Sequence, residues 1–182
     1  MSYPYRYAPD CKVIGAAASA LVNHMNRDAV IDSLETHGLV EIEPEAWYPV
    51  DKFVNVFKDW IESDPSGVSS NLVSVGLAII ENMVLPPDME TMSQREKLLM
   101  VGTLHELQHS GGDPGGYEIF EVGPQHIQYN TNTIYPDDMI YGYIYGIARR
   151  YLDSGTRFTV RYDPDVPRQD KGGTQTIIHL TW

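Results

Sequence analysis

The chain has 182 residues, 42% of them hydrophobic and 21% charged, so it can bury a core of its own and is neither disordered nor fibrous. A formal net charge of −12 excludes phosphate-backbone and anionic-membrane binding, which need concentrated Lys and Arg. The single cysteine, Cys11, excludes an intrachain disulfide framework, and no apolar run approaches the roughly 20 residues that span a bilayer. Residues 1–6 lack the apolar core of a signal peptide. The expectation is one domain over residues 1–182, cytoplasmic, with neither nucleic acid nor membrane among its partners.

In chain order, residues 12–25 read as a first helix with Val13, Ala17, Leu21 and His24 on one face. Residues 27–37 form a second, and Gly38 is placed to stop it. Pro44 and Pro49 mark a loop. A helix is predicted from Val50, where Val50, Phe53, Val54, Phe57 and Ile61 recur at i, i+3 and i+4. Residues 64–67 carry turn chemistry, and Val68, Leu72, Val75, Ile79 and Met83 make the stripe of a fourth helix. Pro86 and Pro87 break it, and one further helix is predicted over residues 92–110.

The glycine-rich block at 111–116 ends that helix. Residues 117–122 and 126–132 flank Gly123-Pro124 as a hairpin. Residues 139–152 read as a helix, and residues 157–162 and 174–182 alternate like antiparallel strands. The fold class expected is α+β: N-terminal helices, then an antiparallel sheet with one crossing helix.

The helix at 92–110 carries the chemistry. Leu98, Val101 and His105 lie within about 60° of one another at 100° per residue, so His105 projects from an apolar arc. Gly102 lies one turn earlier on the same side, where a missing side chain would leave room for something flat. A neutral imidazole in such a pocket is a good axial metal ligand. His105, Glu106 and His109 also spell His-Glu-x-x-His, the spacing in which two histidines bind Zn²⁺ and the glutamate polarises a water. Zinc needs a third protein ligand, and the longer form of that motif would put it at Gly115. The third possibility is a core histidine bonded to a backbone carbonyl.

Other candidates carry less. Tyr135, Tyr141, Tyr143 and Tyr145 could line a ligand pocket or simply pack. Asp137-Asp138 reads as a helix cap rather than a catalytic pair. Asp163, Asp165 and Asp170 lack calcium-loop spacing and read as solvated.

The order of elements from Lys12 onward resembles the haem nitric oxide/oxygen-binding (H-NOX) domains and their haem-free relatives, the 4-vinyl reductase-type ligand-binding domains. The residues that carry the resemblance are Val13-Ile14-Gly15, residues 27–38, Leu104-His105-Glu106-Leu107-Gln108 and Gly142-Tyr143-Ile144-Tyr145-Gly146. It implies an H-NOX-like fold, His105 as axial ligand of a haem iron, and Tyr129, Thr131 and Thr133 on the strand that holds the haem propionates. In that family the strand reads Tyr-x-Ser-x-Arg; here Thr133 stands at the arginine position, which removes the bidentate counter-charge. The resemblance thus implies a sensory domain for haem-based gas sensing, or a haem-free relative holding another hydrophobic small molecule, and no catalysis. Its output would pass to a separate signalling protein or through a homodimer. The alternative function is a zinc hydrolase using His105, Glu106 and His109.

Overall fold

The computed structural model describes residues 4–25, 27–63, 68–83 and 85–182. The turn expected at 64–67 lies outside these residues.

Seven helices and seven strands alternate in a helix-rich first half and a sheet-rich second half among the described residues. Strand β1 (Lys12–Ile14) leads into α1 (Gly15–His24), followed by α2 (Arg27–His37). Gly38, at φ +66°, stops α2 as expected. Strand β2 (Trp47–Pro49) precedes α3 (Val50–Ser63), which buries Val50, Phe53, Val54 and Phe57 on the predicted stripe. Helix α4 (Val68–Asn82) is followed by a 3-10 turn, Pro87–Thr91. Helices α5 (Gln94–Leu99) and α6 (Val101–Leu107) then run into a two-residue strand, β3 (His109–Ser110). The second half is β4 (Tyr117–Gly123), β5 (His126–Thr131), α7 (Asp137–Tyr151), β6 (Thr159–Tyr162) and β7 (Thr176–Thr181). The α+β class and the late antiparallel sheet are as expected.

Three local expectations are corrected. Lys12–Ile14 is a strand and not the start of α1: its backbone pairs with β2 and β3 in a small antiparallel sheet ordered β2-β1-β3. Part of the expected loop around Pro49 is that sheet's β2. The helix expected over 92–110 is two helices broken at Met100, and His109 lies beyond them in β3. Ser93 and Glu96 cap α5 reciprocally, with Glu96 N–H donating to Ser93 Oγ at 3.2 Å and Ser93 N–H to Glu96 Oε2 at 2.7 Å.

The larger sheet is ordered β4-β5-β7-β6, antiparallel throughout. Ile127 and Tyr129 of β5, Ile178 and Leu180 of β7 and Val160 of β6 are buried in one continuous apolar cluster with α3, α4 and α7. Helix α7 lies so close to α4 that side chains are excluded at the crossing. A Cβ on Gly142 would stand 2.1 Å from the Val73 carbonyl oxygen, and one on Gly76 would stand 2.0 Å from that of Met139. No helix among the described residues is long and apolar enough to cross a membrane.

Candidate ligand-binding site

The break at Met100 sets the site. In a continuous helix the Leu98 carbonyl would accept from the N–H of Gly102, four residues on. Instead the hydroxyl of Tyr129, fully buried on β5, donates to that carbonyl at 3.0 Å. Helix α6 therefore starts afresh at Val101 and points His105 at the loop after β3.

His105 is 5% exposed, and its Nε2 lies 3.2 Å from the carbonyl oxygen of Gly115. A carbonyl only accepts, so Nε2 carries the hydrogen. His109 Nδ1 donates in turn to the His105 carbonyl at 2.7 Å, and its Nε2 accepts from the Tyr135 hydroxyl, also at 2.7 Å. The two imidazoles are 4.3 Å apart between centroids, with the rings of Tyr117 and Tyr135 edge-on to His105 at 5.5 and 6.1 Å. Burial, reinforced by the neighbouring His109 and opposed by the Gly115 bond, pushes His105 down to about 3. Burial also lowers His109, against the bond to the His105 carbonyl. Both rings are neutral at physiological pH.

Beside them lies an inner chamber of about 30 Å³, walled by Val13, His105, His109, Tyr135, Met139 and Tyr143 among others. Next to it an apolar outer groove of about 420 Å³ runs between α1, the end of α4 and α6, along Ala16, Ala20, Met83, Leu104 and Leu107. The two spaces share Ala17, Ile79 and Gln108 as walls, and Gln108 Nε2 donates to Met83 Sδ at 3.2 Å. No charged side chain lines either space among the described residues.

The other residues singled out by sequence are distributed as follows. Gly102 faces β4, where an added Cβ would meet Tyr117 Cβ at 3.6 Å, so the room its missing side chain leaves is taken by the strand. Thr131 is buried, faces Tyr117 across the β4–β5 pair, and receives the Thr133 N–H at 3.4 Å. Thr133 is fully buried with a hydroxyl that has no partner. Glu106 is exposed and lines neither the chamber nor the groove. No set of three or more His, Cys, Asp or Glu side chains gathers as a metal site among the described residues. The zinc arrangement is therefore not assembled: both Nε2 atoms are committed to other partners, and Glu106 lines neither space. The carbonyl at Gly115, where the longer zinc motif would have its third ligand, is the group that holds His105.

Of the tyrosines, Tyr135 and Tyr143 line the chamber, whereas Tyr141 donates to the Val160 carbonyl and Tyr145 stacks on Phe158. Gln108 had no sequence signal of its own. Asp137 does not cap α7. Its carboxylate reaches out of the helix, accepting from Thr176 Oγ1 at 2.5 Å and from the Asp170 N–H at 3.0 Å. Asp163 is not merely solvated: it orients His179 at 2.9 Å, and His179 Nδ1 in turn meets His126 Nε2 at 2.9 Å across the sheet.

No family model matches the chain, and no curated relative does either. Solved structures do match its fold. An oxygen-binding H-NOX domain related to soluble guanylate cyclases superposes with a TM-score of 0.61 at 17% identity, over 92% of this chain and 91% of that one. A mutant H-NOX of T. Tengcongensis gives a TM-score of 0.63 at 17% identity, over 92% and 93%. An H-NOX-family structure used to probe haem distortion gives 0.63 at 17%, over 92% of each. The chain has an H-NOX-like fold.

Proposed function

We propose that this chain is a small-molecule-binding sensory domain whose ligand enters the apolar groove between α1, α4 and α6 and is read by the helix that carries His105. The observation that carries the reading is the groove itself: an uncharged space of about 420 Å³ that shares the walls Ala17, Ile79 and Gln108 with the chamber of the two neutral imidazoles. Pockets of a few hundred Å³ with apolar walls and a few convergent polar groups are the usual form of a ligand site.

The H-NOX-like fold supports haem as a first candidate, since an oxygen-binding H-NOX domain and a structure used to probe haem distortion share it. The residues of this chain do not fit it. A macrocycle needs several hundred Å³ against its axial ligand, and the space at His105 is about 30 Å³. The groove that is large enough is walled by Leu104 and Gln108 rather than His105. On the propionate side, Tyr129 is committed to Leu98 and Thr133 replaces the arginine, so two carboxylates would be left without a cation. Of the two ligands open at the sequence level, we take the haem-free one. Ligand entry would displace Gln108 from Met83 and shift α6, and a separate protein or a second copy would read that shift.

The test is titration with an apolar dye that fluoresces when desolvated, on the native chain and on Ala17→Trp, whose indole would fill the shared wall of groove and chamber. Saturable binding of one dye per native chain, lost in Ala17→Trp with the fold intact, is the expected result. No binding, or binding unchanged by the tryptophan, would overturn the reading.

A further inference from the structure

We infer that the ligand is a slender, uncharged apolar molecule ending in one hydrogen-bond acceptor, with its body in the outer groove and its acceptor oxygen on the hydroxyl of Tyr143. This deepens the proposed function and rests on it. Three observations define the class.

The first is an unused donor. Tyr143 is 6% exposed, lies on the wall of the inner chamber, and its hydroxyl has no hydrogen-bond partner. An orphaned buried hydroxyl is costly, and most are satisfied by protein, water or ligand. Other donors of the chamber are already used: His105 Nε2–H on the Gly115 carbonyl, His109 Nδ1–H on the His105 carbonyl and the Tyr135 hydroxyl on His109 Nε2. Gln108 is held only by the weak acceptor Met83 Sδ. Its amide can turn aside without leaving a strong bond broken.

The second is size. The inner chamber, about 30 Å³, admits a single small group, while the outer groove of about 420 Å³ takes an alkyl or terpenoid body. A water filling the chamber would satisfy Tyr143 equally. The ligand's terminal oxygen takes that water's place, and its chain gains the burial of the groove.

The third is charge. With no charged side chain on the walls and both imidazoles held neutral, a buried carboxylate or ammonium would have no counter-ion. A ketone, ester or ether oxygen carries the acceptor without that penalty.

The experiment uses the full chain and three probes of equal length: methyl hexyl ketone, octane and octanoate, each displacing the groove dye. The ketone is expected to bind about tenfold more tightly than octane, as one added hydrogen bond to a desolvated donor implies, and more tightly than octanoate at neutral pH. Tyr143→Phe, which removes only a hydroxyl without a partner, should leave octane's affinity unchanged. A second readout does not depend on that variant: the infrared carbonyl stretch of the bound ketone should lie below its value in hexane. A ketone affinity unchanged in Tyr143→Phe, an unshifted stretch, or tightest binding of octanoate would each overturn the inference. Dye that binds but resists all three probes would overturn it too while leaving the groove a ligand site, whereas failure of the dye itself would overturn the proposed function.

Discussion

The Nε2 of His105 stands 3.2 Å from the carbonyl oxygen of Gly115, and that bond fixes which face of the imidazole meets the chamber. Gly115 can serve because it has no side chain. Its φ is +74°, and a Cβ there would lie 2.4 Å from the Asn132 carbonyl oxygen. Gly115→Ala is expected to lower unfolding free energy by about 2–3 kcal/mol through strain and clash together, and to shift the His105 ring resonances. Gly116→Ala is the control: no atom lies within 4 Å of its would-be Cβ, and it should stay close to neutral. Urea unfolding of the two variants measures the difference.

The depressed pKa of His105 makes acid a specific destabiliser. The folded value, about 3, lies below the ordinary 6.5, so the unfolded chain binds a proton that the folded one refuses. The stability contributed is fully present above pH 6.5 and is lost as pH falls toward 3. Within that window the loss is about 1.4 kcal/mol per pH unit. The lowered pKa of His109 acts in the same direction. His105→Gln should flatten the pH dependence of urea unfolding below neutrality by about that slope, and an unchanged slope would show a solvated imidazole.

Asp137 acts with the opposite sign. Burial, opposed by its bonds to Thr176 and Asp170, raises its pKa from 3.8 to about 6. A raised carboxyl favours the fold most below its ordinary value and loses that contribution as pH climbs through about 6. Asp137→Asn, which carries no charge, should therefore gain stability relative to the native chain as pH rises across this window, by about 1–3 kcal/mol. Asp137→Ala removes the acceptor for one buried and one half-buried donor and should cost about 2–4 kcal/mol at any pH.

The α4–α7 crossing gives a graded pair. A methyl on Gly142 meets the backbone at Val73, which cannot move aside, whereas one on Gly146 meets the Ile80 side chain at 3.2 Å. Gly142→Ala should destabilise by about 3 kcal/mol or more, and Gly146→Ala by about 1 kcal/mol, where Ile80 can shift rotamer. Thermal unfolding orders the two, and equal effects would argue against the close crossing.

Much of this architecture was legible in the residues because its causes are local. The i, i+3, i+4 stripe from Val50 to Phe57, the glycine that ends α2 and the Gly123-Pro124 hairpin all appear where sequence puts them. What sequence missed has tertiary causes. Nothing between Leu99 and Val101 breaks a helix; a tyrosine hydroxyl more than thirty residues downstream takes the Leu98 carbonyl and does so. Strands β1, β2 and β3 have three, three and two residues and no period of their own, and exist by pairing with each other. At the candidate site, His105 stands out in the sequence by its apolar arc. Its partner Gly115 does not, because a backbone carbonyl leaves no mark on side-chain patterning.

The most direct test of the central claim is the absorption spectrum of the chain expressed with haem precursor and of its His105→Ala variant, with haem quantified on the same samples. A chamber of only about 30 Å³ at His105, uncharged walls and Thr133 in the arginine position predict no stoichiometric haem and no strong Soret band in either protein. One haem per chain, with a Soret band that disappears in His105→Ala, would contradict the account and make His105 an axial ligand.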